Sequence, residues 1–96
     1  MFVVSLKITG SKDLLAPHLP AHKEWLQAGF DDGIFLAAGN LQGHPGGGIL
    51  VRGIDEAALQ ERLAQDPFVA NALVDVSVIG FTPAKTDSRL EFLRVA

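Results

Sequence analysis

The sequence predicts an α+β fold built on one antiparallel sheet, and three features of its 96 residues carry that expectation. Apolar and polar residues alternate near the start of the chain and again from Val74 onward. Two intervening stretches repeat apolar residues at three-to-four spacing, and a glycine-rich connection joins two short apolar runs between those stretches.

In the first strand Phe2, Val4, Leu6 and Ile8 alternate with Val3, Ser5 and Lys7, and Thr9-Gly10-Ser11 ends it. A helix follows, with Leu15, His18 or Leu19, His22, Trp25 or Leu26, and Gly29 or Phe30 on one stripe. Pro17 and Pro20 fit only its first turn, because proline has no N–H to donate inside a helix. Asp31-Asp32-Gly33 ends it, with Gly33 free to turn left-handed, although acidic residues there oppose the helix dipole and predict a loose end. Residues 34–38 and 48–53 read as a strand pair joined by the turn-rich connection 39–47. Asp55 caps a second helix carrying Leu59 and Leu63, and Asp66-Pro67 interrupts it and opens a new helical turn bearing Phe68 and Val69. Val74, Val76 and Val78 form the fourth strand, which ends near Phe81-Thr82-Pro83. Beyond it, Leu90, Phe92, Leu93 and Val95 fit a strand or a short helix equally. The order strand, helix, strand, strand, helix, strand is the split βαβ of a ferredoxin-like fold, with both helices on one face of the sheet.

At this length one domain is expected over 1–96, with its core in 1–83 and a C-terminal tail in 84–96. A chain this small buries only about 64% of its unfolded surface, which makes help from a partner subunit valuable. The first and fourth strands carry apolar residues on both faces, Val3, Ile79 and Phe81 among them, so a homodimer packed through the sheet face is expected. Eight Lys plus Arg against eleven Asp plus Glu give a net charge of -3 without a basic cluster, which argues against nucleic acid as a partner. The absence of cysteine excludes disulfides, Fe–S clusters and thiol catalysis. The opening residues lack a basic leader, and no apolar run approaches the ~18 residues that span a bilayer, so a cytoplasmic protein without membrane contact is expected.

Topology says which polar residues meet. The start of the first helix, the hairpin 39–48, the end of the second helix, the Asp66-Pro67 turn and the start of the fourth strand share one edge, which makes His22 and Asp66 neighbours. A carboxylate beside an imidazole holds one tautomer and favours the charged ring, while a helix N-terminus opposes the charge. Such a ring can move a proton near neutral pH. The same residues admit a second reading, in which His22 is a satisfied core histidine and Asp66 simply caps a helix. Trp25 and Phe68 fit the core or the walls of a pocket beside His22, and His44 on the hairpin is a solvated loop residue or a group that reaches over the cleft. His18 and His22 stand four apart, but Pro20 lies between them and HExxH is absent, so no metal site is expected. Gly46-Gly47-Gly48 lacks the ending of a phosphate loop, and no serine sits in a nucleophile elbow.

Met1-Phe2-Val3-Val4, Pro20-Ala21-His22-Lys23-Glu24-Trp25-Leu26, Ala38-Gly39-Asn40-Leu41, Gly47-Gly48-Ile49-Leu50 and Asp66-Pro67-Phe68-Val69, ending in Phe81-Thr82-Pro83, resemble the YCII-related (YciI-like) proteins over 1–83. The resemblance implies a dimeric α+β barrel of ferredoxin-like protomers with a His-Asp pair in a cleft, which falls on His22 and Asp66. Relatives commonly have Gly-Pro where this chain has Gly39-Asn40, which changes the turn or the substrate. Most of the family lacks an assigned reaction, and some relatives act in aromatic or lactone breakdown.

The expected function is that of a small acid/base enzyme of lyase or isomerase type, acting without a cofactor on a carbonyl or lactone-like small molecule. His22 would move the proton, Asp66 would orient and charge the ring, Asn40 or hairpin N–H groups would bind an oxygen, and Trp25, Phe68 and His44 would contact the substrate. The alternative is a non-catalytic module that uses the same cleft to hold a ligand, or the same dimer to support a larger enzyme.

Overall fold

The structure, a computed structural model, describes residues 1–94; Val95 of the tail lies outside the described residues. Strands β1 (Phe2–Ile8), β2 (Phe35–Asn40), β3 (Gly46–Val51) and β4 (Val74–Gly80) form one sheet in the order β2-β3-β1-β4, with every neighbouring pair antiparallel. The ferredoxin-like arrangement is thus present.

The first helical stretch is three pieces. Helix α1 (Lys12–Leu15), a 3₁₀ turn (Ala16–His18) and α2 (Leu19–Asp31) follow one another, and each of the last two carries a proline in its first positions. Each proline therefore restarts the helix where its missing N–H costs nothing. Gly33 ends the unit at φ +73°. The two acids before it find donors: Gln27 Nε2 donates to Asp31, and the Arg62 guanidinium donates to Asp32 at 2.7 Å.

The strand pair is longer toward the hairpin than the sequence pattern suggests, since Gly39 and Asn40 pair with Gly48 and Gly47 and leave only 41–45 as loop. The glycines make this possible. At Gly46 the backbone has φ +146° and a Cβ would overlap the Leu6 carbonyl oxygen, so only glycine lets β3 start against β1 there.

Asp55 caps α3 (Glu56–Ala64) by accepting from the Ala58 N–H at 2.8 Å, and Asp66 caps the short α4 (Pro67–Ala70). On the helix-facing side of the sheet, Val4, Leu6, Phe35, Ile49 and Val51 pack with Trp25, Leu59, Leu63 and Phe68 in one buried core. Burial of a side chain of this kind is worth about 1.5 to 3 kcal/mol, which is what holds the helices to the sheet. Gly29 lets α2 approach closely, because a Cβ there would run into the Phe35 ring.

Register sorts the two faces. Val4 lies opposite Val78 and Ile49, whereas Val3 lies opposite Ile79 and Leu50 on the outer face. Apolar character on that face gathers around Val3, Leu50, Ala37 and Ile79, the last 63% exposed, while Ser5, Ser77 and Gly48 share one row across it. The tail residues Ser88–Leu93 form 3₁₀ helix, which settles the ambiguity of Leu90, Phe92 and Leu93; Leu93 is buried and Arg52 lies 5.5 Å over the Phe92 ring. Among the described residues no helix is long and apolar enough to cross a membrane.

Candidate functional site

His22 is the fourth residue of α2, and Asp66 stands between the end of α3 and the start of α4. The split βαβ brings these two helix junctions to the same edge, and His22 Nδ1 lies 2.7 Å from Asp66 Oδ1. Asp66 is fully buried and the His22 side chain is 16% exposed. An ionised carboxylate can only accept, so Nδ1 donates, and in the neutral ring Nε2 carries the lone pair. No hydrogen bond occupies Nε2 among the described residues, and His22 lines a cavity.

The ring is fixed in orientation. It stacks on Phe68 with centroids 4.1 Å apart and planes 11° from parallel, and on Trp25 at 5.8 Å and 29°. Asp66 Oδ1 also accepts from the Phe68 N–H at 3.3 Å, the long cap of α4. Thus one carboxylate oxygen sets both the imidazole and the aromatic ring beneath it. Its other oxygen, Oδ2, is buried without a partner among the described residues. A carboxylate so enclosed depends on the imidazole N–H as its shortest hydrogen bond.

The cavity measures about 610 Å³, within the range of small-molecule sites. Its floor is the sheet at Ala38, Ile49 and the glycines of β3, and its walls come from α1, the 3₁₀ turn and the start of α2. Asn40, the last residue of β2, lies opposite Gly47 and lines it, as do Phe68 and His44 of the hairpin loop. Trp25 is placed elsewhere: it is 9% exposed, does not line the cavity, and its indole N–H donates to the Arg62 carbonyl at 2.9 Å. Its apolar body and its one polar atom are both used inside the protein, so it supports His22 from behind.

One charged lining residue escaped the sequence reading. Lys12, at the start of α1, opens onto the same cavity as His22. Its position just after β1, on the edge where the other site residues converge, was the available signal.

The family model of the YCII-related domain matches residues 1–82. Among solved structures, 5-chloro-2-hydroxyhydroquinone dehydrochlorinase from Burkholderia phenoliruptrix, in complex with 2,5-dihydroxybenzoquinone, is similar with a TM-score of 0.72 at 16% identity. The match covers 84% of this chain and 92% of that one, and at this identity it is a likeness of fold. No curated protein matches the chain.

Proposed function

Since the chain belongs to the YCII-related family, we propose that it is a small acid/base enzyme of lyase or isomerase type, with His22 as the proton-transfer group and Asp66 as its orienting partner. The observation that supports this reading is the 2.7 Å hydrogen bond between Nδ1 and a fully buried carboxylate on a ring that lines the cavity. Nε2 takes a proton from a carbon beside a carbonyl, and the Asp66 charge stabilises the imidazolium that forms. The carbonyl oxygen gains negative charge in that step and accepts from the amide of Asn40, which lines the same cavity. Return of the proton at a second atom gives an isomer, and departure of a leaving group gives elimination. The dihydroxybenzoquinone of the similar dehydrochlorinase is a ring of the size and oxygen-bearing character that this cavity would take. The reading includes a homodimer formed through the outer sheet face, where Val3, Ala37 and Leu50 border an apolar hollow of about 190 Å³.

The test is a screen of cyclic hydroxy-carbonyl compounds and lactones that reads turnover and thermal shift together. Conversion by the native chain that falls at least a hundredfold in His22→Gln is the expected result. Compounds that stabilise the protein and are never converted would make it a binding module and end the catalytic reading.

A further inference from the structure

We propose that the molecule bound in this cavity is an anion, and that Lys12 holds its charged oxygen. The inference rests on the catalytic reading for the location of the site and goes on to the class of its ligand. Although acidic residues outnumber basic ones eleven to eight in the chain, no Asp or Glu lines the cavity among the described residues. Its titratable lining is Lys12, His22 and His44. Lys12 forms no ion pair among the described residues, and it is the lysine or arginine that lines the cavity there. The Asp66 carboxylate behind His22 is fully buried and engaged by His22 Nδ1 and the Phe68 N–H, so a lysine on the lining without an ion-pair partner raises the potential inside the cavity and attracts a negative group.

The remaining lining divides the ligand into ends. Ile8, Leu15, Leu19 and Leu26 give an apolar wall, and Asn40 offers an amide at the end of β2. The ammonium of a lysine is a compact point charge with three donors, suited to one carboxylate or one phenolate or enolate oxygen. The fitting ligand therefore carries one anionic oxygen on a compact apolar body, with the oxygen at Lys12 and the body on the leucine wall. Lys12 is exposed and its side chain makes no hydrogen bond or ion pair among the described residues, so changing it leaves the protein folded.

Benzoate and its neutral counterpart benzamide are the probes, titrated by NMR against the full chain. Benzoate binds at least fivefold more tightly than benzamide, Lys12→Met brings the two to equal affinity, and Lys12→Arg keeps the preference. The preference also declines as salt is added, as an exposed charge contact must. Equal affinity for the two probes in the native chain, a preference that survives Lys12→Met, or no binding of either probe overturns the proposal. Binding is read here without turnover, so a chain that prefers benzoate through Lys12 yet converts nothing in the screen would lose the catalytic reading and keep this one.

Discussion

Asp66 uses one oxygen for two tasks: Oδ1 accepts from His22 Nδ1 at 2.7 Å and from the Phe68 N–H at 3.3 Å. Partner of the imidazole and helix cap looked like rival roles for this residue, and the geometry makes the two hydrogen bonds simultaneous. The cap points the carboxylate, since the bond to Phe68 holds the first turn of α4 against the end of α3 where α2 passes. The imidazole then meets a fixed acceptor and stacks on the ring of the residue that fixes it.

Replacement of Asp66 separates the two tasks. Asp66→Asn keeps an oxygen for both N–H groups and loses the charge, so stability falls by roughly 1 kcal/mol while turnover of any substrate found in the screen falls a hundredfold or more. Asp66→Ala removes both acceptors and costs roughly 1 to 3 kcal/mol, because the Phe68 N–H and the His22 ring lose their acceptor together. Denaturant unfolding of the two variants beside kinetics checks the difference. Equal activity in Asp66→Asn and the native chain would leave the carboxylate with its capping role alone.

Trp25 gives a prediction of the opposite kind. Trp25→Phe keeps an aromatic ring behind His22 and loses the indole donor to the Arg62 carbonyl, which still accepts from the Gln65 N–H at 3.1 Å. Loss of that bond and some ring volume costs about 1 kcal/mol. Because the indole does not line the cavity, KM stays within about twofold of native, and a tenfold rise would return Trp25 to the binding residues.

What was legible followed local rules. The alternation of β1, the caps Asp55 and Asp66 and the element order led to the topology, and topology alone placed His22 beside Asp66. The hairpin boundaries were hidden because Gly39, Gly46 and Gly47 carry no strand signal of their own: Gly46 and Gly47 pair because β1 lies beside β3, and Gly39 pairs because Gly48 lies across from it. Trp25 shared a stripe with His22, and spacing cannot tell a side chain that reaches the cavity from one turned toward the Arg62 carbonyl. Lys12 went unread because charge at a helix start resembles an ordinary solvated surface until the cavity beside it is known.

The outer sheet face predicts assembly. Ile79 is 63% exposed and lies opposite Val3, at the β4 end of the apolar row that Ala37, Leu50 and Val3 continue across that face. Light scattering of the native chain gives about twice its mass of 10.2 kDa, and Ile79→Glu gives the single-chain mass. The substitution is at the surface of each chain, so a monomer that melts uncooperatively would point instead to a fold that depends on its partner. A native monomer at micromolar concentration removes the sheet-to-sheet dimer.

Gly47 lines the cavity without a side chain. It lies in one cross-strand row with Leu6 and Asn40, so any side chain at 47 rises from the helix-facing side, the side of the cavity. A Cβ there meets nothing closer than the Gly39 carbonyl oxygen at 3.5 Å, and the backbone needs no left-handed conformation. Gly47→Val therefore fits the strand and gains roughly 0.5 to 1 kcal/mol from the lost flexibility of the unfolded chain. The isopropyl group takes up the floor on which a ligand rests, so binding of a ring-sized molecule weakens tenfold or more. The Nδ1–H resonance of His22, held by Asp66 on the other side of the ring, stays where it is in the native protein. Gly46→Ala is the control, one residue earlier in the same strand: its Cβ overlaps the Leu6 carbonyl oxygen at φ +146°, so it destabilises the fold and moves every resonance. Native affinity in a folded Gly47→Val would mean that the ligand lies against the leucine wall and never reaches the sheet.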